Sequence, residues 1–146
     1  MDAKDVGKNR KPRDAKDKRM ATAMLCTGRL GLLIFGLGFA VSMTRGKTET
    51  IIATNADPTD RLYKMVRAHG NATEYAPILA ILMVLVAMGG EPATWVIWVV
   101  IAVTAFRYLH AAGMITSPTL AKPYPLRFIG ALGPMLAASP CMWRCF

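Results

Sequence analysis

Acidic side chains are scarce in this chain. Nine Asp and Glu face eighteen Lys and Arg, for a formal net charge of +9, and of the nine only Glu74 falls inside an apolar stretch. Cysteine is scarce as well. Cys26, Cys141 and Cys145 are odd in number and sit in or beside apolar segments, so no disulfide framework is implied and small buried hydrophobes are their default role. Cys141 and Cys145 share a helix face at i, i+4, yet no His or carboxylate stands near them to complete a metal site. The basic opening, "MDAKDVGKNRKPRDAKDKRM", has no aromatic residue for stacking on bases, which argues against nucleic acid as the partner of its charge. Internal repeats and low-complexity tracts are absent too.

What is present is apolar and concentrated. Hydrophobic residues make up 53% of the 146, and they gather in four blocks, 20–43, 62–88, 93–115 and 126–143. Each is near the roughly 20 residues that cross a bilayer, and little chain remains for a soluble core. The first and third blocks show no polar face over most of their length. The pattern predicts an all-α integral membrane protein, a multi-pass four-helix bundle of up-down-up-down connectivity over residues 20–146. Residues 1–19, with eight Lys and Arg against four Asp, are expected as a solvated, disordered tail that at most touches anionic lipid. The first block is too long for a signal-peptide core of about 7–15 residues.

Breakers separate the blocks. "GGEP" at 89–92 and "TSPTLAKPYP" at 116–125 mark two turns, and Thr59 or Asp60 is placed to cap the second helix. Pro77 lacks a backbone donor inside the second block and is expected to bend it. Gly36, Gly38, Gly130 and Gly133, with Ala137 and Ala138, permit close helix contact.

The polar residues inside the blocks are patterned. On a helix, Arg67, Asn71 and Glu74 at i, i+4 and i+7 fall within an arc of about 60°. Ionised groups facing hydrocarbon cost several kcal/mol each, so this stripe belongs toward the bundle, a neighbouring subunit or a watery site. The third block carries Arg107 and His110 at i, i+3, and Arg127 opens the fourth just after Pro125, where a helix start favours an anion. Plainer readings stand beside these: an Arg67–Glu74 clamp, Arg107 or Arg127 snorkelling to headgroups, and Arg29 doing the same in the first block. The "NAT" at 71–73 is a glycosylation sequon by letter but lies within the polar stripe. In an up-down bundle Arg45, Arg67, Asn71, Glu74, Arg107, His110 and Arg127 converge at one interface layer. A small molecule with two or more carboxylates and an ammonium fits that set: glutathione, other amino-acid metabolites and some lipids all have this charge pattern.

"RAHGNATEYAP", "FRYLHAAGM" and "YPLRFIGALG", in that order within residues 61–134, resemble the MAPEG family, the membrane-associated proteins in eicosanoid and glutathione metabolism. The resemblance rests on Arg67, Asn71, Glu74, Tyr75 and Pro77, followed some 40 residues later by Arg107 and His110. It implies a homotrimer of four-span subunits with glutathione as cosubstrate, bound between subunits by Arg67, Asn71, Glu74, Arg107 and His110. It also implies that Arg127 stabilises the glutathione thiolate for attack on a lipophilic electrophile or peroxide drawn from membrane lipid. Two departures touch the chemistry: Met114 stands where some members have Tyr, and Phe128 replaces a hydroxyl after Arg127. Tyr108 and Tyr124 lie nearby as substitutes. A non-catalytic lipid-binding or scaffold protein of the same fold is the alternative reading. A transporter fits less well, because charge is missing from the centres of the blocks.

Overall fold

The computed structural model describes the backbone of residues 3–52, 56–89 and 93–144, and their side chains except at 3–12, 93 and 137–144. The side chains of Ala137, Ala138, Cys141 and Cys145 therefore lie outside the described residues, while Cys26 is buried and free. Four helices account for the structure: α1 (Ala3–Thr48), α2 (Arg61–Met88), α3 (Ala93–Thr116) and α4 (Pro125–Arg144). No strand occurs among the described residues. Three helices, Arg13–Thr48 within α1, Arg61–Met88 and Thr94–Thr116, are long and apolar enough to cross a membrane. Their outer surfaces expose Leu32, Phe35, Phe39, Ile78, Ile81 and Trp98, a coat that lipid tolerates and water does not. The chain is an integral, multi-pass membrane protein.

The leader differs from the disordered tail expected over residues 1–19: α1 begins at Ala3 and runs unbroken into the apolar stretch. Extending an existing helix adds one hydrogen bond for each residue fixed and avoids a new nucleus. Arg13 and Asp17, and Asp14 and Lys18, are spaced at i, i+4, which favours the same extension.

Local chemistry sets the ends of α1 and α2. Past Thr48, Glu49 adopts φ 52°, the left-handed turn that closes a helix C-terminus, and the Thr50 amide donates back to the Arg45 carbonyl at 3.3 Å. Asp60 caps α2, its carboxylate accepting from the Tyr63 amide at 2.8 Å. Thr59 serves the preceding turn instead, donating its amide and hydroxyl to Asp57 Oδ1 at 2.8 and 2.7 Å. These bonds, the backbone amide first, hold the Asp57 carboxyl below its usual value of 3.8. Helix α2 continues through Pro77 to Met88.

Three apolar clusters join the helices. Leu30 of α1, Met83 of α2 and Val96 and Val100 of α3 meet in one, and Leu33 and Leu37, Ala68 and Ala72, and Ala111 and Met114 in a second. Val41, Leu62 and Met65 form a third beyond it. Along this sequence of clusters the numbers rise in α1, fall in α2 and rise in α3. At the end where α1 stops and α2 starts, the two loops are joined as well: the Leu120 amide donates to the Pro58 carbonyl at 2.9 Å, and Lys64 Nζ to the Ser117 carbonyl at 3.1 Å.

Helix α4 lies against α3 closely enough that only glycine fits. A Cβ on Gly113 would meet the Arg127 amide nitrogen at 2.7 Å, and one on Gly130 the His110 amide nitrogen at 2.5 Å. One on Gly133 would strike the Phe106 ring, whereas Gly36 has open space around it. Of the expected close contacts, Gly130 and Gly133 make theirs against backbone or a ring, Gly38 meets only the edge of His69, and Gly113 was not anticipated.

Gly130→Ala should therefore force α3 and α4 apart at a net cost of about 1–3 kcal/mol, read as a lower unfolding temperature in detergent, while Gly36→Ala leaves it unchanged or raised. The Asp57 turn should titrate in a defined direction. Because its folded-state value is depressed, the contribution is complete above 3.8 and disappears as pH falls through the lower folded value. The Thr59 amide chemical shift should report that transition, and Asp57→Asn should remove it.

Candidate functional site

The repeat of an α-helix brings Arg67, Asn71 and Glu74 to one face of α2, and α3 and α4 complete a cavity over it. This cavity, about 340 Å³, is lined by Tyr63, Arg67, Asn71, Glu74, His110, Met114, Leu120 and Arg127, and lies within the size range of small-molecule sites. Five residues singled out in the sequence, Arg67, Asn71, Glu74, His110 and Arg127, are thus together in one wall. Arg67 and Glu74 are exposed on their outer side. No ion pair joins them among the described residues, so the clamp reading fails and both charges remain available.

Arg107 sits behind the wall. Its side chain is 4% exposed. Its Nη2 donates to the Asn71 backbone carbonyl at 3.2 Å and, in a short contact, to Asn71 Oδ1. The guanidinium also stacks on Tyr75, 5.0 Å from the ring centroid, an arrangement that offsets part of the desolvation cost through the ring quadrupole. Neither Arg107 nor Tyr75 lines the cavity, and a guanidinium so buried does not snorkel to headgroups. Since Arg only donates, Asn71 must turn its oxygen to Arg107, and this leaves the two amide N–H donors of Asn71 for the cavity side. The same contact engages the side chain that the sequon would modify.

His110 is 7% exposed, and its Nδ1 lies 2.9 Å from the Arg127 carbonyl. A carbonyl accepts only, so Nδ1 carries the proton and Nε2 is the second hydrogen-bonding atom of a ring that lines the cavity. The close approach at Gly130 makes this bond possible. Arg127 in turn is braced by the α3–α4 loop: Nη1 donates to the Leu120 carbonyl at 3.1 Å and Nη2 to the Lys122 carbonyl at 3.3 Å. Two of its five N–H groups are so used, and three are left.

Arg45 is absent from the cavity, contrary to expectation. Its Nη1 donates to the Ile51 carbonyl at 2.7 Å, tying down the chain just past α1. Helix α1 packs on α2 and α3, and none of its residues lines the cavity. The proposed substitutes for a missing hydroxyl are also elsewhere, since Tyr108 donates to the Arg29 carbonyl at 2.8 Å and Tyr124 is outside the lining. Tyr63 is the hydroxyl the cavity does contain. It lies one helical turn before Arg67, and extending the i, i+4 stripe by that turn would have found it. No group of His, Cys, Asp and Glu suited to a metal ion occurs among the described residues.

Against known proteins, the family model of the MAPEG family matches residues 23–146. No curated protein and no solved structure matches.

Asn71→Leu should cost about 1–3 kcal/mol, because it strips a buried guanidinium of a partner. Arg107→Met, which replaces the cation with an apolar side chain, should cost less. Thermal unfolding of the two variants in the same detergent compares them directly; the reverse order would mean that the guanidinium does not constrain Asn71.

Proposed function

Starting from the chain's membership of the MAPEG family, we propose that the cavity binds glutathione and that the protein is a membrane-bound glutathione-dependent transferase or peroxidase acting on a lipophilic electrophile. The observation that carries this reading is the meeting of Arg67, Arg127, Glu74 and Asn71 in one cavity. Glutathione has two carboxylates, an ammonium and a thiol. The guanidiniums suit the carboxylates and the sulfur, Glu74 suits the ammonium, and the free N–H groups of Asn71 suit a peptide carbonyl.

Arg127 is the residue assigned to the sulfur. A free thiol has a pKa of about 8.5, and each unit of depression requires about 1.4 kcal/mol of preference for the thiolate. A guanidinium already fixed by two loop carbonyls offers its remaining donors with little reorganisation. The thiolate then forms a bond to the electrophilic atom, whose leaving group or opened ring takes the electron pair. Tyr63 supplies a hydroxyl to a wall in which Met114 has none.

The functional unit in this reading is a homotrimer in which α4 also spans the bilayer, the helices alternating in direction, and a neighbouring subunit closes the side left open at Arg67 and Glu74. The competing reading is a lipid-binding scaffold of the same fold. Met114 in the lining and the outward position of Phe128, 62% exposed, favour it, because neither residue hydrogen-bonds a sulfur.

An ultraviolet difference spectrum of detergent-solubilised protein with glutathione near neutral pH separates the readings. A saturable thiolate band is expected. Arg127→Ala should keep glutathione bound by calorimetry yet lose the band and reduce conjugation by two orders of magnitude or more, roughly the effect of deleting a single preorganised donor. Glu74→Gln should weaken binding itself. Binding without a band in the wild type would favour the scaffold, and equal activity in all three proteins would reject the assignment.

A further inference from the structure

A second trough lies between the end of α1 and the start of α2, about 300 Å³ in volume and lined by Phe39, Ala40, Met43, Thr44, Lys47, Arg61 and Met65. Its polarity is graded. On α1, Phe39, Met43 and Lys47 follow at i, i+4 and i+8 along one face, two apolar turns leading to a cation over about 12 Å. On α2, Arg61 and Met65 repeat the order at i, i+4. Each wall thus presents a cation at the helix terminus and a methionine one turn deeper. Phe39 and Met43 are 69% and 52% exposed, and neither the Lys47 nor the Arg61 side chain has a hydrogen bond or ion pair among the described residues. Arg45 and Lys64, the other cations near these helix ends, are engaged with the Ile51 and Ser117 carbonyls.

We infer that this trough binds one anionic phospholipid of the surrounding bilayer, its phosphate between Lys47 and Arg61 and an acyl chain along Phe39 and Met43. The charge is of the right sign and at the ends of two membrane-spanning helices, where headgroups lie. The apolar floor starts one turn inward, where a headgroup gives way to hydrocarbon. A snorkelling Lys or Arg reaches headgroups singly; here two helices aim one cation each at a shared trough. The site is separate from the glutathione reading, since at 100° per residue Arg61 and Met65 lie roughly 145° around α2 from the mean direction of Tyr63, Arg67, Asn71 and Glu74.

Native mass spectrometry of the full chain, released from phosphatidylcholine bilayers containing a minor fraction of phosphatidylglycerol, tests the inference. Wild type should retain phosphatidylglycerol in preference to phosphatidylcholine. The double variant Lys47→Gln/Arg61→Gln, changed only at exposed side chains, should retain on the order of tenfold less. Ala40→Phe, which fills the trough and leaves its charge intact, should also release the lipid, and Glu74→Gln should keep it. Equal retention in wild type and the double variant would overturn the inference. So would displacement by inorganic phosphate, retention in Ala40→Phe, loss in Glu74→Gln, or a double variant whose change is in oligomer mass, which would mean that a second copy covers the trough.

Discussion

A guanidinium inside a membrane bundle must have its N–H groups satisfied by protein, because no water is at hand to do it. Arg107 meets that demand in part: Nη2 has a backbone carbonyl and an amide oxygen and the guanidinium a ring face, all from one turn and a half of α2, while Nε is buried without a hydrogen-bond partner. The consequence is positional. Helix α2 is fixed in rotation and height against α3, Asn71 is fixed in amide orientation, and the stripe that includes Arg67 and Glu74 is aimed to one side of the bundle. A residue that looks like a ligand in the sequence thereby orients the ligands.

The second determinant is steric. Three glycines let the backbone of α4 lie against α3, where a methyl group at Gly113 or Gly130 would collide with main chain. That proximity carries Arg127 to the cavity and its carbonyl to His110, while the loop carbonyls of Leu120 and Lys122 brace the guanidinium. Close packing and polar preorganisation are one feature here, as is common where lipid offers helices no hydrophobic reason to associate.

Helix α2 consequently divides its circumference. One side presents a polar stripe to a cavity closed by α3 and α4; the other, with α1, presents a cation and a methionine to lipid. Both lie toward the end of the bundle where the first and third loops are hydrogen-bonded to each other. The charged residues of α2 and α3 gather there, where the headgroup layer solvates charge, and the apolar clusters around Val96, Val100 and Met83 occupy the other part of the bundle's depth.

The membrane class, the four apolar helical stretches and the stripe Arg67–Asn71–Glu74 were legible in the sequence, because each depends on local spacing: about 20 apolar residues match a bilayer, and 3.6 residues per turn align i with i+4 and i+7; the helical leader of α1 was not. Tyr63 obeyed the same rule one turn earlier. The capping choice between Thr59 and Asp60 was narrowed to two residues and decided by which side chain reached the Tyr63 amide. Tertiary structure alone decided the rest. It sent Arg107 inward to Asn71 and Tyr75, Arg45 to the Ile51 carbonyl and Tyr108 to Arg29, and it set Gly113 against Arg127. Spacing along one helix states which side chains share a face, but which face meets which neighbour is fixed by packing between helices, and a long arginine or tyrosine side chain goes to whichever carbonyl that packing brings within reach.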